Sequence, residues 1–149
     1  MEPMNNTVKA IPEGYQAVIP YLVVDGAEKV IEFLKQTFHA KELLRMAGPD
    51  GKIGHTEVRI GDCVVMISDA QGPWKPMPAM IYVYTEDVDA AYQRALAAGA
   101  TSVREPQDQF YGDRSAGVTD ACGNQWWIGT HIENMSNEEL LRRHQAAAK

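Results

Sequence analysis

Positive charge is scarce in this chain of 149 residues: 14 Lys and Arg stand against 20 Asp and Glu, a net charge of −6. Broad binding to nucleic acid or to anionic lipid relies on Lys and Arg neutralising phosphates, so neither nucleic acid nor membrane is expected among its partners. Cysteine is scarcer still. Cys63 and Cys122 form no CxxC pair and no dense framework, which leaves two buried free thiols as the expectation. No apolar run approaches the ~20 residues that span a bilayer. The polar start, Met1 to Thr7, carries no signal-peptide pattern, so a cytoplasmic protein is expected and the Asn5-Asn6-Thr7 sequon is read as chance. Also missing are a Gly-rich phosphate loop, a Ser-His-Asp spacing and an HExxH motif.

What the chain does contain is a unit written twice. Tyr21-Leu22-Val23-Val24-Asp25 runs into a helical pattern through Val30, Leu34 and Phe38, and Tyr82-Val83-Tyr84-Thr85-Glu86 runs into another through Val88, Tyr92 and Leu96. The ends recur too. Gly61-Asp62 precedes the apolar run Cys63 to Ile67, and Gly123-Asn124 precedes Gln125 to Ile128.

Strands are expected over Gln16–Val24 (irregular at Pro20), Lys41–Met46, Lys52–Ile60 and Cys63–Ser68, then over Met80–Thr85, Ser102–Glu105, Gln109–Val118 and Gln125–Ile132. Helices are expected from Asp25 or Gly26 to Phe38 and from Asp87 to Ala98, and Ser136 with Glu139 forms a capping box for a last one, Asn137 to about Ala147.

The organisation predicted is a single α+β domain. Its first βαβββ module covers 15–70, a linker 71–79, its second βαβββ module 80–133 and a C-terminal helix 136–147. The two modules are expected to form a curved eight-stranded sheet, with one helix per module on the convex side and a cleft between the halves.

This order resembles the vicinal oxygen chelate superfamily, which includes glyoxalase, bleomycin-resistance and dioxygenase proteins. The resemblance is carried by Ile11-Pro12-Glu13-Gly14-Tyr15, Pro20 to Asp25, Gly54 to Asp62 and Gln109-Phe110-Tyr111-Gly112-Asp113-Arg114-Ser115. Within the superfamily the likeness is to the PhnB-type branch, through the Tyr-Gly-Asp-Arg-Ser run and Trp127-Ile128-Gly129-Thr130-His131. The turn Asp120-Ala121-Cys122-Gly123-Asn124 departs from the Asp-Pro-Phe-Gly-His common in that branch.

Metal-dependent members of the superfamily take one ligand from the first and one from the last strand of each module. Alignment on the helices and turns puts Ile19 (or Pro20), Val65, Met80 and Trp127 at those positions, and none of them ligates a hard divalent ion. The resemblance with these substitutions implies a metal-free protein without a cofactor. Strand alternation then adds neighbours on the same face. The expected ligand-binding cleft is lined by Tyr21, Val65, Ile67, Met80, Tyr82, Tyr84, Arg114, Trp127 and His131, a surface suited to a flat, partly aromatic molecule. A barrel collapsed onto these side chains is the alternative, and Gly129 in mid-strand favours open space.

His55-Thr56-Glu57 and His131-Ile132-Glu133 each offer two same-face ligands, but they do not occupy equivalent places in the repeat. Arg114 reads equally as a clamp on an anionic ligand or as part of a hairpin whose Asp113 pairs with an Arg. The leading functional reading is a small-molecule-binding homodimer, like the drug-binding resistance proteins whose paired subunits form aromatic clefts. The alternatives are a glyoxalase-like lyase or dioxygenase-like enzyme, which uses a metal through other ligands or metal-free acid–base chemistry, and a scaffold that meets a protein partner through Trp74 and the proline-rich linker.

Overall fold

The computed structural model describes residues 7–148; the first six residues of the polar start, with both asparagines of the sequon, lie outside the described residues. The element order is β1 (Tyr21–Val24), α1 (Ala27–Phe38), β2 (Lys41–Ala47), β3 (Ile53–Ile60), β4 (Cys63–Asp69), β5 (Met80–Tyr84), α2 (Val88–Ala97), β6 (Thr101–Asp108), β7 (Asp113–Thr119), β8 (Gln125–His131) and α3 (Asn137–Ala147). Two βαβββ units and a last helix give the α+β class expected. The eight strands are divided four and four, in the orders β1-β4-β3-β2 and β5-β8-β7-β6, so each module has its own sheet instead of sharing one continuous ladder.

Each sheet presents alternate residues to its helix. Leu22, Val24, Val65 and Ile67 of the first sheet and Ala116, Val118, Trp126 and Ile128 of the second are buried with Val30, Ile31, Leu34, Ala91 and Tyr92 of the helices. Phe33 and Phe38 of α1 reach across the module boundary to Trp126, with ring centroids 6.1 and 6.0 Å apart. Arg94 Nε of α2 donates to the Thr37 carbonyl at 3.0 Å. The two modules therefore share one core on their helix sides, and their opposite faces are left open.

The first expected strand is shorter than its sequence pattern. It begins at Tyr21, after the proline that lacks an N–H, and Gln16 is held by side-chain hydrogen bonds to Val64 N and O instead of by a ladder. The strand end repeats as a capping device in both modules. Asp69 at the end of β4 accepts from Gly26 N, Ala27 N and Ile53 N at 3.2, 2.8 and 2.8 Å, which caps α1 in place of a side chain at Gly26. Thr130 Oγ1 on β8 accepts from Val88 N at 2.9 Å at the start of α2.

The altered turn has its own bracing. Asp120 accepts from Cys122 N, Asn124 N and Trp126 Nε1, and the buried Asn124 accepts from Ala79 N at 3.0 Å. Both cysteines are free. Cys63 is exposed at the β3–β4 turn instead of buried, because it starts a strand after a tight turn, and Cys122 is partly buried. Among the described residues no helix is long and apolar enough to cross a membrane.

Candidate functional site

The linker between the modules folds back onto the first sheet. Gln71 and Trp74 exchange backbone hydrogen bonds at 3.1 and 2.9 Å around Gly72-Pro73, and Met77 N donates to Val23 O at 2.9 Å along the free edge of β1. This strap and the open face of the first sheet enclose a cavity of about 550 Å³ lined by Tyr21, Val23, Gly54, Ser68, Asp69, Gln71, Trp74 and Met77. Trp74 is 65% exposed. An exposed indole beside a mostly apolar hollow is an unfilled contact surface. Sequence reasoning placed Trp74 in a linker. The available signal was a lone aromatic in a Gly/Pro-rich stretch, but only the folded strap shows what it faces.

A polar chain leads away from this cavity, and of its members Tyr21 lines the cavity. Tyr21 Oη lies 2.9 Å from His55 Nδ1, and His55 Nε2 lies 2.8 Å from Glu57 Oε2. The other Glu57 oxygen accepts from the Tyr15 hydroxyl. Glu57 is buried, and the bonds from His55 and then Tyr15 hold its carboxyl below the usual carboxylate range. The Tyr15 phenol is raised, chiefly by its hydrogen bond to Glu57. His55 and Glu57, two apart on β3, do share a face as strand geometry requires, but they bond to one another and to tyrosines.

The open face of the second sheet is covered by its own side chains. Tyr82 and Tyr84 both donate to Asp113 Oδ2, at 2.8 and 2.7 Å, and His131 Nδ1 lies 3.0 Å from Asp113 Oδ1. Asp113 is 3% exposed. Burial alone would raise its carboxyl, but the three donors outweigh that and hold it low. Burial, then Asp113, raises the Tyr82 phenol, and the Asp113 bond raises His131.

The Tyr82 ring lies over Gly129, where an added Cβ would come within 2.2 Å of its hydroxyl oxygen. Trp127 lies over Gly117 in the same way, at 2.8 Å, and the Arg104 guanidinium stacks 4.9 Å from the Trp127 ring centroid. The space expected over Gly129 exists and is occupied by the protein itself.

The expected cleft residues therefore separate. Tyr21 lines the large cavity. Tyr82, Tyr84 and Val65 border a second groove of about 430 Å³ between the edge of β5 and the β3–β4 turn. Met80 is exposed on the second open face, and Trp127 and His131 belong to its paved surface.

Two expectations are corrected by register. Val65 and Ile67 are 4% and 0% exposed and pack in the core; Val65 meets the groove only at its floor. Tyr21 pairs with Met66 and Tyr82 with Trp127, so Met66, not Val65, is the counterpart of Trp127. Alignment on the glycine turns shifts β4 by one residue, and a one-residue slip exchanges the faces. Arg114 alternates with Asp113 and so points to the helix side. It binds Asp89 of α2 through Nε and Nη2 at 2.8 and 2.9 Å and Asp108 at 3.0 Å, out of reach of the cleft. Asp113 is paired with His131 and tyrosines, not with an arginine. Among the described residues no group of three His, Cys, Asp or Glu side chains is placed to hold a metal ion.

Paired βαβββ modules with helices on one side and open sheet faces on the other define a class of proteins built from a duplicated unit. The sequence matches the Glyoxalase/Bleomycin resistance protein/Dioxygenase superfamily over residues 16–128, and the chain belongs to that superfamily. It is 39% identical to an uncharacterized protein of Mycobacterium bovis over 135 residues, covering 83% of this chain and 89% of the relative. Among solved structures it is similar to TioX from Micromonospora sp. ML1, with a TM-score of 0.67 and 26% identity, covering 78% of this chain and 99% of that one. It also shares its fold with TnmS3, an antibiotic binding protein from Streptomyces sp. CB03234 (TM-score 0.61, 22% identity, 78% and 99% covered).

Proposed function

We propose that this protein is a metal-free binder of a planar, partly aromatic small molecule, a PhnB-type member of its superfamily that acts as a cytoplasmic homodimer. The observation that carries the reading is the 550 Å³ cavity, in which Trp74 and Met77 of the strap face Tyr21 and Val23 of the sheet across an unfilled, largely apolar space. That volume lies in the range of small-molecule sites, about 300–1,000 Å³. Flat apolar bodies fit between an indole and a tyrosine ring, and Ser68 and Gln71 supply polar contacts at the cavity wall. The antibiotic-binding description of TnmS3, a protein of the same fold, supports the same class of ligand.

The test is a thermal-shift and tryptophan-fluorescence screen with polycyclic aromatic and antibiotic-like compounds. A true ligand raises the melting temperature, since at about 100-fold excess over Kd it stabilises the native state by about 2.7 kcal/mol. It also quenches the tryptophan fluorescence, and the part of the quench lost in Trp74→Ala belongs to Trp74. In Trp74→Ala the affinity is expected to fall about ten-fold, with unliganded stability little changed because the side chain is exposed. A panel without response, or binding unchanged by Trp74→Ala, overturns the reading. Stoichiometric tight metal in the purified protein overturns its metal-free part.

A further inference from the structure

The Glu57–His55–Tyr21 chain ends at the cavity wall, and its hydrogen bonds fix which way Tyr21 presents its polarity. Glu57 accepts from both Tyr15 and His55, so His55 Nε2 carries a proton. In the neutral imidazole Nδ1 is then a lone pair, and it accepts a hydrogen bond from the Tyr21 hydroxyl, 2.9 Å away. The phenolic oxygen is left with lone pairs only. In the imidazolium Nδ1 is a donor, the Tyr21 oxygen accepts from it, and the phenolic proton is free for the cavity.

The other polar groups at the wall do not change polarity with His55, the Asp69 carboxylate being an acceptor in either state. The Asp69 oxygens are engaged by the N–H groups of Gly26, Ala27 and Ile53. The Ser68 hydroxyl and the Gln71 amide each offer both a donor and an acceptor.

We propose that this chain makes the cavity select an aromatic ligand bearing a hydrogen-bond donor, a phenol or an N–H, when His55 is neutral, and one bearing a carbonyl-type acceptor when His55 is protonated. The inference rests on the cavity being the ligand site, as argued above. The groups that face His55 are few. Glu57 is on its own strand, Tyr21 is on β1, and Tyr15 stands behind Glu57. The register sets Met46 of β2 opposite His55, and Leu44 of β2 and Met66 of β4 opposite Glu57, none of them titratable. Arg59, next along the same face of β3, donates from its guanidinium to the Gly14 carbonyl.

The experiment compares naphthol, a donor and only a weak acceptor, with acetonaphthone, an acceptor without a donor, by the part of the tryptophan-fluorescence quenching that Trp74→Ala abolishes in the full chain. Measurements are made at about pH 8.5 and about pH 5. Naphthol is expected to bind about five-fold tighter at the higher pH, with the order reversed at the lower, the size of one hydrogen bond gained or lost. Tyr21→Phe should give the two probes one ratio at both pH values. His55→Gln should fix the ratio against pH while its circular dichroism stays that of the parent. A pH-dependent preference that survives Tyr21→Phe, or one that is the same at both pH values in the parent protein, overturns the inference and leaves the binding function standing. If neither probe nor any panel compound quenches Trp74, the binding function fails and the inference falls with it.

Discussion

On the second sheet Tyr82 lies across Gly129 to reach Asp113, and Trp127 lies across Gly117 beneath Arg104, so the face is closed by its own aromatic side chains. On the first sheet the counterpart of Gly129 is Ser68, and Tyr21, the counterpart of Tyr82, reaches across β4 to a histidine, His55 of β3, instead of to a carboxylate. The strap through Trp74 then spans an unfilled space. Both halves join a tyrosine, a histidine and a buried carboxylate, but the order differs. In the second module the carboxylate is the hub and three donors converge on it. In the first the histidine stands between carboxylate and tyrosine, which leaves a hydroxyl at the end of the chain. A hub satisfies a buried charge and locks the face, whereas a chain ends in a group that is free to meet a ligand.

The largest break in this comparison is expected from the glycines. Gly129→Ala puts a Cβ within 2.7 Å of two Tyr82 ring carbons and must lift that ring off Asp113. A loss of about 2–3 kcal/mol in urea denaturation is expected, from overpacking and a lost hydrogen bond to a buried carboxylate. Gly54→Ala on the first open face meets only the Met46 carbonyl, at 3.6 Å, and should stay within about 0.5 kcal/mol. Equal costs would mean that the second face is no more filled than the first.

A smaller contrast lies in the caps. Asp69→Ala removes an acceptor from three N–H groups, and about 2 kcal/mol is expected. Thr130→Val removes one acceptor from Val88 N and should cost about 1 kcal/mol. Chemical denaturation checks both, and the reverse order would show that the capping roles are not shared as described.

The smallest effect is in pH dependence. Asp113 has a lowered folded pKa, so its contribution is complete above the ordinary carboxylate value of 3.8 and is lost as pH falls through the folded value. His131 has a raised one, so its contribution is complete below the ordinary value of 6.5 and is lost as pH rises through the folded value. The pair is therefore worth most between those limits. Denaturation midpoints across pH should show an alkaline decline in the parent protein that disappears in His131→Gln; a decline that persists assigns it to another group. Glu57, also lowered, adds an acid-side loss from the first module.

Much of the fold was legible because it rests on short-range pattern. The capping box at Ser136 and Glu139 marked the start of α3, and Ser136 accepts from Glu139 N at 3.1 Å. Apolar residues at helical spacing marked α1 and α2 to within a residue or two of their ends. The candidate site was read less well. Which of Val65 and Met66 faces the cleft depends on how many residues the β3–β4 turn uses before pairing resumes, and a glycine turn does not state that count. Arg114 was a candidate by chemistry alone, and strand alternation places it on the helix side with Asp89. His55 and Glu57 read as a surface face until the register brought Tyr21 beside them.

By itself the sequence determined the duplicated βαβββ unit, its helices and their buried stripes, because those depend on periodicities of two and 3.6 that any window of the chain displays. Only the tertiary structure decided which open face is filled and which is hollow. That outcome turns on contacts between residues far apart in the chain: Tyr82 with Asp113, Trp127 with Gly117, and the strap at Met77 with the edge of β1. A side chain's reach across neighbouring strands is fixed by register and by what the neighbour leaves empty, and neither is written in the local order of residues.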